Sequence, residues 1–264
     1  MCVDMRTARI VTRAALCALI FLCVCGRARA TDFYELQMYT VDTEPEGHWI
    51  VELHSNSITD AYNHDTELPL YQIHNTLEVT YGLLPHLEVG QYLCTARLDA
   101  GTYEYAGGRT KVHFGIPQTY EWPVNLGMNI ELQYMRRAAV PDPFNIEVMP
   151  IVQTDVRGFL LVADLTFEKQ FTGPGTHPGI GFEPAAEVTY RLHGKWRWLE
   201  PALEYYGDIG PIKEPVPIAD QQQFIVPAVN LYLTPPLEFN FGVGFGVTRA
   251  NSGDFVKGTV GWSF

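Results

Sequence analysis

Short segments in which polar and apolar residues alternate run along most of this chain, and they constrain its fold more than any other feature. From Gly47 onward, segments of about ten residues are separated by Gly, Pro, Asn and Asp, a pattern typical of β-strands with one apolar and one polar face. A tilted strand of that length crosses a lipid bilayer. Twelve strands are predicted, and they begin near Trp49, Gln72, Leu87, Gly108, Leu126, Ile146, Phe159, Ile180, Trp196, Phe224, Leu237 and Phe255.

The last two predicted strands show the alternation most clearly. Between residues 239 and 247 every second residue is Phe or Val, and the residues between them are Asn or Gly. One face suits lipid and the other suits a crowded or aqueous lumen. We therefore predict an all-β, antiparallel, up-and-down transmembrane β-barrel over residues 47–264. It would have twelve strands, or fourteen if one long loop contains a further strand pair.

The end of the chain resembles the carboxyl-terminal signal of Gram-negative outer-membrane barrels, which their assembly machinery recognises. Val260, Trp262 and the terminal Phe264 supply the alternating apolar residues of that signal. Residues 77–83 and 87–90 resemble the strand, turn and strand repeat of porin-like barrels, including the transporter group named for the phenol meta-degradation pathway. The resemblance implies a barrel in the outer membrane. It implies no substrate and no functional residue.

The first 30 residues have the order of a secretory signal peptide. Arg6, Arg9 and Arg13 precede an apolar stretch over residues 14–25, and residues 28–30 supply small side chains for cleavage. The apolar stretch is shorter than the roughly 20 residues that a transmembrane helix needs, which disfavours a retained anchor. We expect an exported protein in the outer membrane of a Gram-negative bacterium, in contact with outer-membrane lipid.

Residues 31–46, which follow the predicted cleavage site, also alternate in part and could be a thirteenth strand. An odd number of spanning strands would place the new amino terminus, Thr31, outside the cell, whereas the termini of bacterial barrels face the periplasm. We interpret residues 31–46 as a periplasmic segment or a strand tucked against the barrel mouth.

Charge and cysteine content exclude several classes of function. Removal of residues 1–30 takes away five of 18 basic residues and one of 30 acidic residues, and it leaves a formal net charge of −16. So acidic a chain is not expected to bind nucleic acid. Cys94 becomes the single cysteine, so no disulfide forms within the mature chain. No cofactor is implied.

The links between predicted strands alternate in length, as the short periplasmic turns and long outer loops of bacterial barrels do. All five tryptophans fall at the end with the short links, where they would form an aromatic girdle at the membrane interface. They are Trp49, Trp122, Trp196, Trp198 and Trp262.

Four glutamates form the clearest candidate site. Alternation turns Glu183, Glu187, Glu200 and Glu204 toward the lumen. If residues 193–194 form a two-residue turn, Glu187 lies opposite Glu200 and Glu183 lies opposite Glu204. Carboxylates about 5 Å apart repel one another unless a cation or a proton intervenes.

Two interpretations of these glutamates stay open. In one, basic side chains cross the lumen, pair with them and plug the barrel; the candidates are Arg109, Lys111, Arg137 and Arg191. In the other, the glutamates are a cation-attracting patch of an open pore. Either way the excess of acids disfavours anions.

Metal and catalytic sites have weaker support. Glu52, His54, His74 and Glu78 share lumenal faces of neighbouring strands, but a long loop leaves their register unknown, and no metal site is predicted. A hydrolase would need a hydroxyl near an imidazole, and the chain has no Gly-x-Ser-x-Gly turn. The sequence favours a channel or diffusion facilitator for small solutes, not selective for anions. The alternatives are a structural or surface-interaction barrel with a plugged lumen and, less favoured, an outer-membrane hydrolase.

Overall fold

The computed structural model describes most of the chain after the predicted signal peptide. The described residues are 33–34, 36–58, 73–97, 102–117, 122–176, 179–234, 236–250 and 253–264. The predicted signal peptide and the predicted new terminus at Thr31 lie outside them. Within these ranges no helix has both the length and the apolar character needed to cross a membrane.

Twelve long antiparallel strands form a closed barrel, which confirms the predicted architecture. The ring closes where β1 pairs with β13, and a two-residue strand, β10, extends the pairing of β8 beyond the end of β9. The strands are β1 (Trp49–Ile58), β2 (Ile73–Leu84), β3 (Leu87–Arg97), β4 (Tyr103–Gly115), β5 (Asn125–Met135), β6 (Phe144–Val156), β7 (Phe159–Gln170), β8 (Ile180–Tyr190), β9 (Leu199–Asp208), β10 (Gly210–Pro211), β11 (Gln222–Thr234), β12 (Leu237–Gly246) and β13 (Phe255–Ser263).

Six strand starts differ from the prediction, four of them by only one or two residues, and each of the two larger differences has a local cause. β4 begins at Tyr103 rather than near Gly108, because Gly107 (φ +148°) lies at an irregularity in the pairing with β3 and does not end the strand. β9 begins at Leu199 rather than at Trp196, because residues 194–196 form a 3₁₀ turn. Paired residues inside the strands keep the predicted alternation of faces.

The barrel has an apolar outside and a polar inside. At mid-strand positions Leu53, Leu77 and Leu93 point outward and are 49%, 39% and 48% exposed. Inward-pointing Glu78 and Glu131 are 0% and 1% exposed. This is the reverse of a water-soluble sheet protein, and it fits a barrel whose outer surface is solvated by lipid.

The two ends of the barrel differ. We call the end where β1 begins and β13 ends the turn end, and the opposite end the loop end. At the turn end β6 and β7 are joined by Arg157 and Gly158, whose φ values of +53° and +87° are those of a type I′ hairpin turn. Trp49 and Phe264 exchange backbone hydrogen bonds of 2.8 and 2.9 Å there, which closes the ring at its first and last residues.

The described part of residues 33–46 runs along the inside of the barrel from its loop end to its turn end, and we call it the lumenal segment. Phe33 packs beside residues at the loop end, and the backbone of Glu44 contacts Glu88 at the turn end, so the segment runs the length of the lumen before β1 begins. The prediction of a periplasmic segment or a strand at the barrel mouth for residues 31–46 is wrong for this part. The even number of spanning strands excluded a thirteenth strand in the barrel wall. It did not exclude a segment that passes through the lumen.

Candidate functional site

The lumen is a candidate functional site because it brings the buried charges and the lumenal segment together. Six wall side chains hold the backbone of the segment. Near the loop end three of them donate to its carbonyl oxygens: Asn56 to Phe33 (2.8 Å), Thr76 to Tyr34 (2.9 Å) and Lys257 to Leu36 (3.0 Å). Toward the turn end three accept from its amides: Asp164 from Tyr39 (2.8 Å), Gln153 from Val41 (3.1 Å) and Glu88 from Glu44 (2.7 Å).

Tyr39 is the central side chain of the segment. Its hydroxyl donates to Glu131 at 2.9 Å and shares a 2.7 Å hydrogen bond with the Tyr92 hydroxyl. The Lys111 ammonium lies 5.3 Å from the centre of the Tyr39 ring, within cation–π range. These contacts tie the middle of the segment to β3, β4 and β5.

Glycines on the wall make room for the segment. A Cβ at Gly82 would lie 2.1 Å from the carbonyl oxygen of Pro45, and one at Gly115 would lie 2.3 Å from that of Val41. Any larger residue at these inward positions would collide with the backbone of the segment. The absence of side chains at these two wall positions therefore leaves the space that the backbone of the lumenal segment occupies.

Apolar side chains of the segment also form three small buried clusters with the wall. Their members are, first, Phe33, Leu36, Ile58, Tyr206, Phe224, Val226 and Phe255; second, Tyr34, Tyr92, Cys94, Ala96, Ala106 and Met135; and third, Tyr39, Val41, Met149, Ile151, Leu160 and Val162.

Lys111 is the centre of an ion-pair network on β1, β2, β3 and β4. Its ammonium lies 2.6 Å from Glu78 and 3.2 Å from Glu88. The imidazoles of His54 and His113 lie 3.2 and 3.1 Å from the same two carboxylates. We call this part of the wall, together with β13, the basic side. The buried carboxylates of Glu78 and Glu88 are neutralised here by direct contact with Lys111.

Two further bases extend this pattern. Arg109 lies 3.3 Å from Glu131 and 3.9 Å from Glu147. Lys257 on β13 lies 2.5 Å from Glu204, a residue of β9 across the lumen, and also donates to the Tyr206 hydroxyl at 2.9 Å. The lumenal placement of Arg109 and Lys111 therefore agrees with the alternation from which it was predicted.

The wall formed by β6 to β9, which we call the acidic side, is different. Among the described residues no Lys or Arg side chain of these strands is buried, whereas Asp164 and Glu187 are buried there at 1% and 8% exposure. A cavity of about 70 Å³ remains between this wall and the segment, and its charged lining residues are Glu147, Asp164 and Glu183 together with Arg109 of β4. The acidic side is where packing and charge neutralisation are least complete.

The predicted register of the four glutamates is wrong. Glu187 lies opposite Glu204, not opposite Glu200. The link between β8 and β9 spans residues 191–198 and contains a 3₁₀ turn, so it is longer than the predicted two-residue turn. Because the register changes by an even number of residues, the inward face is preserved. Glu183, Glu187 and Glu204 face the lumen, whereas Glu200 is only half-buried near the turn end.

Two basic residues that were predicted to face the lumen lie outside it. Arg137 follows the end of β5 in an exposed turn at the loop end, because β5 stops at Met135. Arg191 follows the end of β8 and pairs with Asp155 at 2.5 Å, with both side chains more than 40% exposed at the turn end. Neither is placed to neutralise the buried glutamates.

The predicted histidine and glutamate group is only partly assembled. Ligand atoms of Glu52, His54 and Glu78 lie within 4.8 Å of one another, but the Lys111 ammonium beside Glu78 already supplies a positive charge there. His74 instead packs against the ring of Tyr34, with 4.5 Å between ring centres.

Thr259 extends the group in a way that its sequence position does not reveal. Its hydroxyl lies 3.2 Å from Nδ1 of His54, whose Nε2 lies 3.2 Å from Glu78. A hydroxyl, an imidazole and a carboxylate in a row can form a nucleophilic centre. Here the carboxylate is engaged by Lys111 at 2.6 Å, so we interpret the row as part of the ion-pair network.

The residues predicted for the membrane interface lie at the turn end, as does Phe264 of the predicted assembly signal. Trp49, Trp122, Trp196 and Trp262 are 41%, 52%, 48% and 50% exposed, and Trp198 is half-buried near Trp196. Val260 and Phe264 are 41% and 63% exposed and share the outer face of β13 with Trp262. Their roles in the girdle and in assembly stay predictions.

Solved structures of outer-membrane barrels share this fold. A KdgM porin has 7% sequence identity and a TM-score of 0.55, and the match covers 81% of this chain and 99% of that one. The COG4313 outer membrane channel from Pseudomonas putida F1 has 10% identity and a TM-score of 0.61, with coverage of 87% and 100%. The NanC porin has 10% identity and a TM-score of 0.53, with coverage of 81% and 98%. No protein-family model and no curated protein sequence matches the chain.

The lumenal segment is the part of the site that the alternation of polar and apolar residues did not predict. One signal was present: Leu36, Tyr39 and Val41 are apolar residues that a periplasmic linker would leave in water. Gly82 and Gly115 were a second signal, because glycine at an inward strand position marks close approach of another backbone.

Proposed function

We propose that this protein is a passive outer-membrane channel for small solutes, and that residues 33–46 of its own chain close the lumen in the conformation described here. The proposal includes export through a signal peptide ending at residue 30, barrel assembly through the terminal Phe264, and an aromatic girdle of tryptophans at the periplasmic interface. Membership of the phenol meta-degradation group, which the sequence resembles, belongs to the same proposal. The fold shared with porins and channels supports it.

One observation carries the proposal. The lumen is lined by buried charged and polar groups, and one extended segment of the chain runs through it beside ion pairs such as Lys257 with Glu204. Burying so many charges lowers the stability of a folded barrel, because an interior of apolar residues would avoid the cost of removing those charges from water. Stability alone therefore does not explain this wall. A wall of this kind becomes useful when water and solute replace the segment.

The charge of the wall favours cations. Among the described residues nine buried carboxylates face three buried Lys and Arg side chains. One KdgM porin structure holds disordered oligogalacturonate, a negatively charged sugar chain. We propose that the present lumen disfavours such solutes, because its field repels anions. No enzymatic activity is part of the proposal.

A structural or surface-interaction barrel is the second candidate, and the narrowness of the residual cavity, about 70 Å³, favours it. The two functions differ in whether the segment leaves the lumen. Planar-bilayer recordings separate them, with native protein compared to a loosened variant that carries Leu36→Ser and Tyr39→Ala.

The channel proposal predicts brief openings of the native protein and long openings of the loosened variant, with cations more permeant than anions. Folding of both proteins is checked by heat-modifiable mobility on gels. A folded loosened variant with no openings would contradict the channel and favour the structural barrel.

A further inference from the structure

The wall recognises the lumenal segment chiefly through its peptide backbone. The six hydrogen bonds to backbone amides and carbonyls come from six different strands, so they surround the segment. Backbone groups are the same in every peptide. A wall that satisfies them can hold other extended chains as well as this one.

The bonding groups are separated along the lumen. The donors Asn56, Thr76 and Lys257 lie toward the loop end, and the acceptors Asp164, Gln153 and Glu88 follow toward the turn end. When the segment leaves, each of these groups loses its hydrogen bond to the segment backbone. A solute with alternating amide donors and carbonyl acceptors restores them, whereas a sugar or a simple amine restores only some.

Charge adds a second requirement. Asp164 and Glu183 line the residual cavity, and Glu187 lies on the same strand as Glu183. Among the described residues the nearest bases, Arg109 and Lys257, already contact Glu131 and Glu204 at 3.3 and 2.5 Å. Positive charge on a solute is therefore favoured on the acidic side.

We propose that the opened lumen binds and passes short, extended peptides that carry positive charge. The inference rests on the proposed channel function, since the segment has to leave the lumen first. The segment then acts as an internal competitor: it occupies the same backbone-binding groups as the peptide, and its apolar side chains give it the advantage while no solute is present.

Block of the ionic current in the full-length loosened variant, Leu36→Ser with Tyr39→Ala, tests the proposal. Trilysine and spermidine are the probes, because both carry about three positive charges at neutral pH and only trilysine has internal amides. Trilysine should block the current at about tenfold lower concentration, since roughly two recovered hydrogen bonds of ordinary strength have that effect. Triglutamate should not block.

A wall variant separates amide recognition from charge. Gln153→Leu removes one acceptor without changing charge, and it should weaken block by trilysine while block by spermidine stays the same. Gln91→Leu, on the outer face of β3, is the matched control and should change neither.

Each contrary result has a distinct meaning. Equal block by trilysine and spermidine, or equal weakening of both by Gln153→Leu, would overturn peptide recognition and leave the channel intact. A folded loosened variant without current would instead overturn the channel itself.

Discussion

On the basic side of the lumen, buried acids contact a buried base; on the acidic side, among the described residues, the buried acids have no buried base on their own strands. Lys111 contacts Glu78 and Glu88 within 3.2 Å, whereas Asp164 on β7 accepts a hydrogen bond from the segment backbone. The basic side thus resembles a structural core, and the acidic side resembles the wall of a pore. We infer that stability is concentrated in one and selectivity in the other.

The largest effect should come from breaking the network on the basic side. Lys111→Met leaves Glu78 and Glu88 buried without their ammonium, and we expect the free energy of unfolding to fall by about 3–5 kcal/mol. Arg191→Met removes the exposed pair with Asp155 and should cost at most about 1 kcal/mol. Urea unfolding in lipid vesicles measures both. Similar losses of unfolding free energy for the two variants would show that the buried network stabilises the barrel no more than an exposed ion pair does.

Tyr39→Phe should have the next largest effect, because it removes one hydroxyl that two buried wall groups share. Glu131 loses a 2.9 Å donor and Tyr92 loses a 2.7 Å partner, for an expected loss of about 1.5–3 kcal/mol in the free energy of segment docking. The open probability in bilayer recordings should rise accordingly. Tyr103→Phe, at an exposed position, is the control; an open probability unchanged by both would argue that Tyr39 does not hold the segment.

Asp164→Asn should change stability little, which would set the acidic side apart. The amide of asparagine keeps an oxygen that can accept from the Tyr39 backbone N–H, which lies 2.8 Å from the Asp164 carboxylate. The substitution also removes a buried charge that has no buried base among the described residues of its own strand. We expect the free energy of unfolding to stay within about 1 kcal/mol or to rise. Asp155→Asn on the exposed turn end is the comparison. A loss as large as that of Lys111→Met would erase the distinction between the two sides.

The smallest effect concerns selectivity and distinguishes the observed register from the predicted one. In the loosened variant, Glu187→Gln should lower the ratio of cation to anion permeability. Glu204, which lies opposite Glu187, is neutralised by Lys257 at 2.5 Å, so Glu187 supplies the negative charge of this pair. Glu200→Gln, near the solvent at the turn end, should shift the reversal potential less, since salt screens exposed charges. Equal shifts would favour the register in which Glu187 and Glu200 are opposed.

The sequence predicted the barrel well because strand period, inward face and link length are local properties. Six of twelve strand starts, including Trp49 and Phe159, are at the predicted residue. The prediction from sequence failed where the position of a residue depends on contacts with residues far away in the chain. The link after β8 looked like a two-residue turn, and the lumenal location of Tyr39 depends on β3, β5 and β7, up to 125 residues away. Pairings such as Lys257 with Glu204 depend on the position of strands across the lumen, which alternation does not specify.

Closure of the lumen by the segment is tested most directly with a reversible cross-link. A Cβ at Gly127 would lie 3.4 Å from the Cα of Val41, so cysteines at these two positions are close enough to form a disulfide. The pair Val41→Cys and Gly127→Cys is placed in the loosened variant, with Cys94→Ala to prevent mispairing and with Gly127→Cys alone as the control. The single-channel current of one protein is then recorded before and after reduction.

We predict that the oxidised protein is silent, that reduction opens it, and that reoxidation closes it again, while the control stays open throughout. An oxidised, fully cross-linked protein that conducts as well as the reduced one would contradict closure of the lumen by residues 33–46.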